Sequence, residues 1–107
     1  MIDKLYHYIL VRKDLPIGVQ MVNVAHAAGE SILEAPIPSN TIAVVLHVEN
    51  EAELINHYNI LVEKKIECIL IREPDAPYNL AAMSIGVKPS NRRNALRRLF
   101  YHLKLVA

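Results

Sequence analysis

The chain has 107 residues, 52% of them apolar and 21% charged, and its formal net charge is +1. That length and composition suit one globular domain over residues 1–107 and exclude a disordered or coiled-coil chain. A total charge so near zero says nothing about an anionic partner, so only a local concentration of charge can do so.

The opening MIDKLYHYILV lacks the basic start and small-residue cleavage site of a signal peptide. No apolar run approaches the roughly 20 residues that span a bilayer. The single cysteine, Cys68, has no internal partner and sits in the apolar run IECILI, so a buried and inert thiol is expected. These features point to a cytoplasmic protein that makes no membrane contact.

LYHYILVR (residues 5–12) is rich in aromatic and branched side chains, the preference of a half-buried strand. KDLPIG (13–18) then supplies the Asp, Pro and Gly of a tight connection. VQMVNVAHAAGESI (19–32) has helical periodicity. At 100° per residue its Met21, Val24, Ala25, Ala28 and Ile32 share one side, expected to face the core, while Val19, Asn23, His26 and Glu30 form a polar stripe elsewhere.

EAPIPSNT (34–41) carries two prolines and must interrupt the helix. IAVVLHV (42–48) is a near-continuous apolar run that suits a central strand. Asn50 precedes Glu53 by three residues, the spacing of a capping box, and Leu54, Ile55, Tyr58, Leu61 and Val62 follow as one apolar face. KIECILIRE (65–73) and NLAAMSIGV (79–87) read as two more strands joined by PDAPY. Pro89 and Ser90 open a last helix whose Ala95, Leu96, Leu99, Phe100 and Leu103 share a face.

The order is therefore β-α-β-α-β-β-α, and such alternation implies a mostly parallel sheet covered on both faces. Ligands of open α/β sheets usually sit beyond the carboxyl ends of the strands, where the polar stripe of the first helix begins.

YILVRKDLPIG, then AHAA, ECILIRE and MSIGVKP, in that order, resemble the type 2 peptidyl-tRNA hydrolase family over about residues 8–105. The resemblance implies a three-layer α/β/α sandwich with a mixed four-stranded sheet, its last strand antiparallel. It also implies ester hydrolysis between tRNA and a peptidyl group with no metal and no cofactor. By that resemblance Asp14 matches the acidic residue of the opening motif, Gly18 the second loop glycine, Asn23 the helix glutamine and His26 its histidine.

Other positions depart from the pattern. The family's loop lysine falls at Val19, and the carboxylate at Glu73 is followed at once by Pro74. The threonine at the start of the last strand falls near Ala81. One lost oxyanion donor commonly costs on the order of 100- to 1000-fold in rate. The expectation is thus a divergent member with weak or absent hydrolase activity that binds RNA or a small ligand in the same crevice. The candidate catalytic residues are His26, Glu73 and Asp14, and the candidate ligand-binding residues are Gly18, Val19, Asn23 and Glu30. An active aminoacyl- or peptidyl-tRNA ester hydrolase and a small-molecule acid–base enzyme are the alternatives.

Arg93, Arg97 and Lys104 fall within about 40° of one another on the last helical wheel, and guanidinium groups pair well with phosphate oxygens. They are the candidate RNA-binding residues, with tRNA as the partner, and a homodimer is left open. The five histidines show no metal-ligand spacing beyond the weak pair His26 and Glu30, so no metal site is expected.

Overall fold

The computed structural model describes residues 4–33 and 36–106; residues 1–3, Glu34, Ala35 and Ala107, and with them the start of the proline-bearing interruption, lie outside the described residues. The elements run β1 (Tyr6–Arg12), α1 (Ile17–Glu30), β2 (Ile42–Val48), α2 (Glu51–Glu63), β3 (Cys68–Glu73), β4 (Ala81–Val87), α3 (Arg93–Phe100) and β5 (Lys104–Leu105). They form a mixed α/β fold on one open sheet of order β3-β4-β1-β2-β5. β1 pairs parallel with β2 and antiparallel with β4, β4 pairs antiparallel with β3, and β5 pairs antiparallel with β2.

The sheet has five strands rather than the expected four. The last helix stops at Phe100, where Leu103 N–H donates to the Phe100 carbonyl at 2.9 Å, and Lys104–Leu105 then lies along β2. Backbone groups beside an open sheet edge are better satisfied by that edge than by a solvent-exposed helix end. Lys104 therefore leaves the helical wheel that grouped it with Arg93 and Arg97. Nor does α3 begin at Ser90, because Ser90 exchanges backbone hydrogen bonds with Tyr6 at 2.8 and 3.2 Å and stays extended.

The central strand is β1, whose His7, Tyr8, Ile9, Leu10 and Val11 are all buried, and not β2, whose Ile42 and Ala43 are exposed. Alternate side chains of the sheet serve two packing surfaces. Tyr8, Leu10, Leu46 and Val48 share a core with Leu54 and Leu61 of α2 and Leu96 and Phe100 of α3. His7, Ser84 and Gly86 meet α1 instead: His7 bonds Ser31 just past the helix, and Ser84 Oγ donates to the Asn23 carbonyl at 2.9 Å.

The α1 core face is the main correction. Gln20, Asn23 and Ala27 are its buried residues, whereas Met21 is 67% exposed and Val22 52% exposed. Of the apolar stripe expected to be buried, Met21 and Ala25 are exposed and Val24, Ala28 and Ile32 only half-buried, while Gln20, Asn23 and Ala27 are fully buried. Gly86 shows why. A Cβ built there would lie 2.8 Å from Ser31 Oγ, 2.9 Å from the Ala27 carbonyl carbon and closer still to the Ala27 oxygen. The helix backbone itself rests on β4 at Ala27, where only a small side chain fits, and Gln20 and Asn23 are buried on the same face with hydrogen bonds of their own.

Most polar groups under α1 are paired. Gln20 Nε2 donates to the Leu15 carbonyl at 2.7 Å, so its Oε1 accepts from His47 Nε2 at 2.7 Å. Ser31 Oγ donates its one proton to the Ala27 carbonyl at 2.7 Å and therefore accepts from His7 Nε2 at 2.6 Å. α2 carries the expected cap: Asn50 Oδ1 accepts from Glu53 N–H at 3.0 Å, and Glu53 Oε2 accepts from Glu49 N–H at 3.3 Å. Cys68 is partly buried, and that burial pushes its thiol up to about 11, which makes it inert at neutral pH.

His7 predicts how stability responds to acid. Burial lowers its proton affinity in the fold, so as pH falls below the unfolded value of about 6.5 the unfolded chain takes up the proton first. Stability is complete above that pH and should fall by up to about 1.4 kcal/mol per pH unit below it, until the folded value is passed. Burial pushes His57 down in the same sense, so the His7 share is read by difference. Urea unfolding at pH 7 and pH 5 should show a smaller loss in His7→Gln than in wild type. Equal losses in the two proteins would assign the acid sensitivity to other groups.

Candidate functional site

β1 and β3 point the same way, and a crevice of about 450 Å³ opens beyond their carboxyl ends. Pro16, Gly18, Val19, Val22 and Asn23, from the start of α1, form one wall. Glu73 at the end of β3 and Asp75, Ala76 and Tyr78 from the β3–β4 loop form the other. Proline at the entry to α1 fixes the turn and has no N–H to leave unpaired.

The opposite wall is held by hydrogen bonds to backbone carbonyls. Leu80 N–H donates to the Glu73 carbonyl at 2.7 Å, Asn79 N–H to the Asp75 carbonyl at 3.1 Å, and Arg72 Nη1 to the Leu80 carbonyl at 2.8 Å. These bonds keep Asn79 and Leu80 in succession at φ 48° and 70°. Left-handed backbone at residues other than glycine costs about 1–3 kcal/mol each and tends to cluster at ligand sites.

Asn23 is 2% exposed. Its Nδ2 donates to the Val19 carbonyl at 2.9 Å, while its buried Oδ1 has no partner among the described residues. Such an orphaned acceptor costs about 1–3 kcal/mol. Glu73 Oε1 accepts from Asp75 N–H at 3.0 Å, which orients the carboxylate on its loop. The lining includes two carboxylates, the Tyr78 phenol and Asn23, and no Lys or Arg. With an acidic wall and no cation it suits a donor-rich or positively charged group and disfavours a phosphate.

The candidate residues divide among several places. Gly18, Val19, Asn23 and Glu73 all line this crevice. His26 is exposed on α1 and is not among the lining residues. Glu30 lines a separate depression of about 540 Å³ at the other end of α1, with Ser31, Ile32 and Leu33. Twelve residues of helix separate Gly18 from Glu30, about 18 Å at 1.5 Å per residue, so the stripe does not converge on one ligand. Asp14 is engaged by Arg12 in a two-pronged pair, with both distances 2.9 Å, and the guanidinium holds its carboxyl below the ordinary range. Arg12 also donates to the Ala82 carbonyl at 3.0 Å, tying the loop after β1 to β4.

A third depression, of about 550 Å³, lies between the sheet and α3, where Arg93 and Arg97 stand beside Tyr6, Tyr8, Phe100 and Tyr101. The Arg93 guanidinium sits 5.3 Å from the Tyr6 ring centroid. Lys104 is not among its lining residues.

Asp75 and Tyr78 belong to the crevice but were absent from the sequence reading. Their signal was the PDAPYN segment directly after a strand end, the usual place for ligand-binding loops. Glu53, His57 and His102 were also missed as a group. Glu53 and His57 are four apart on a helix, a visible spacing, but nothing in the sequence places His102 beside them.

The chain is an α/β protein with an open mixed sheet and a small acidic crevice beside the ends of β1 and β3. No family model matches the chain, and no curated protein does. It is similar to the solved structure of a protein of unknown function, Atu0240 of Agrobacterium tumefaciens strain C58, with a TM-score of 0.61 and 18% identity over the whole of both chains. That likeness shows the fold. No helix among the described residues is long and apolar enough to cross a membrane.

Proposed function

We propose that the chain is a divergent protein on the type 2 peptidyl-tRNA hydrolase scaffold, a three-layer α/β/α sandwich, with weak or absent hydrolase activity. Its crevice beyond β1 and β3 binds a small ligand that carries N–H donors or a positive charge. One observation carries this reading: Asn23, Glu73 and Asp75 line a crevice whose lining has no cation. Val19 supplies no charge where the resemblance expects a lysine, and Asp14 is already held by Arg12.

The test has two arms. Purified protein should hydrolyse peptidyl-tRNA at least about 100-fold more slowly than an intact family member, since several charge-stabilising groups are missing, and Val19→Lys should raise the rate if that group limits it. In a nuclear magnetic resonance titration, an amino-acid amide with a protonated amine should shift the amides of Gly18, Asn23 and Tyr78, while acetate should not. Full family-level hydrolysis would overturn the first half of the proposal, and equal responses to amine and acetate the second.

RNA on the α3 face is a second reading. It is favoured by Tyr101, 84% exposed beside Arg97, because aromatic rings next to guanidinium groups stack bases while the arginines meet phosphates. Binding to tRNA should then weaken with salt, and Arg97→Ala should reduce the log–log slope by up to about one unit. A slope unchanged by that replacement would remove α3 from the RNA contact.

A further inference from the structure

Away from the crevice, three metal-ligating side chains meet where α2 passes the turn after α3. Glu53, His57 and His102 each present one ligand atom, and these atoms all lie within 4.8 Å of one another. Glu53 and His57 are one helical turn apart, with Oε1 and Nε2 4.0 Å apart. The capping box orients the pair: Glu53 Oε2 is taken by Glu49 N–H, which leaves Oε1 turned toward His57.

His57 is 4% exposed, and its ring forms no hydrogen bond among the described residues. Its contacts are the edge of Phe100 at 5.8 Å and the stacked ring of His102 at 5.4 Å, with 23° between the imidazole planes. Packing on Phe100 also fixes where the His57 ring can point.

We infer that Glu53, His57 and His102 form a binding site for a divalent transition-metal ion of the zinc type. Two imidazoles and one carboxylate match the ligand preference of such ions, whereas magnesium and calcium require oxygen ligands throughout. Tetrahedral bonds of about 2.0–2.2 Å draw ligand atoms to roughly 3.3 Å from one another, a closure that small side-chain rotations supply from the present separations. His102 is exposed, so the fourth coordination position faces solvent and takes water or a small anion. The ion ties α2 to the turn that leads into β5, and it does not depend on the crevice ligand.

Thermal unfolding of the metal-free protein with added zinc chloride tests the site. At about a hundredfold excess over the dissociation constant, zinc should raise the midpoint by roughly 10 °C, while magnesium and calcium chlorides should leave it unchanged. His102→Ala removes an exposed ligand and Glu53→Gln keeps the helix cap, so both variants should fold and lose the zinc shift. Because His57→Ala opens the core and can fail to fold, His57 is followed in wild type, where zinc should move its ring resonances together with those of His102. No zinc shift in wild type, or a full shift in His102→Ala and Glu53→Gln, overturns the site.

Discussion

Replacing Gly86 by alanine is expected to lower the thermal midpoint by roughly 15 °C. The added Cβ meets the Ala27 carbonyl and Ser31 Oγ, and neither yields easily. The Ala27 carbonyl is helix backbone that already accepts from the Ser31 backbone N–H at 3.1 Å and from its hydroxyl at 2.7 Å. Ser31 Oγ in turn holds His7. Relief requires α1 to lift off β4, which also strains the Ser84 bond to the Asn23 carbonyl. Overpacking of this kind costs about 3 kcal/mol, the upper part of the usual range. Gly29→Ala is the matched control: a Cβ there has nothing within 4 Å, and alanine in a helix gains about 0.5–1 kcal/mol over glycine. Urea unfolding of the two variants should therefore move in opposite directions, and a near-neutral Gly86→Ala would show that α1 does not rest on β4 as described.

Phe100→Ala should cost about 3–5 kcal/mol, the usual range for truncating a buried phenylalanine, and the loss should be concentrated at one end of the molecule. α3 has eight residues and buries only Leu96 and Phe100. A helix that short has no independent stability, so packing must hold it. Phe100 supplies that packing through the Tyr8 ring, 5.6 Å away, and the His57 ring. Without it, α3 and the following β5 lose their anchor, while β1, β3 and β4 keep their own pairing. Hydrogen exchange should quicken first at the amides of Leu103 and Val106, whose bonds fasten the turn and β5. Uniform quickening across β1 and β4 would mean that the loss of Phe100 spreads through the whole core and is not confined to the α3–β5 end.

Much of the architecture is legible in the sequence because hydrophobic runs and turn residues report local structure. β1, β2, α2 and the β3–β4 pair follow directly from LYHYILVR, IAVVLHV, the Asn50 cap and the PDAPY turn. The facing of α1 is not legible in the same way. A helical wheel assigns the core to apolar side chains, whereas here the helix backbone touches β4 at Ala27 and the hydrogen-bonded Gln20 and Asn23 are buried on that face while Met21 is exposed. β5 and the early end of α3 were also out of reach, because they depend on an open edge of β2 that exists only in three dimensions.

The candidate site divides along the same line. Gly18, Val19, Asn23 and Glu73 could be placed near the strand ends, since all adjoin a strand terminus or the start of α1. His26 and Glu30 were grouped with them by a wheel that ignores distance along the helix axis. Asp14 carries a local pairing with Arg12 that two-residue spacing does not announce.

The sheet order sets the sequence of events by which the chain can be built. β1 forms early, yet one of its two neighbours, β4, lies more than half the chain later, and Ile9, Leu10 and Val11 must wait for Gly86, Ile85 and Ser84. Until then one edge of this buried strand stays open. Long-range pairing of this kind slows the search for the native topology. During synthesis the emerging β1–α1–β2 segment would thus be a half-sheet needing protection, and completion of β4 would be the step that releases the chain from that risk.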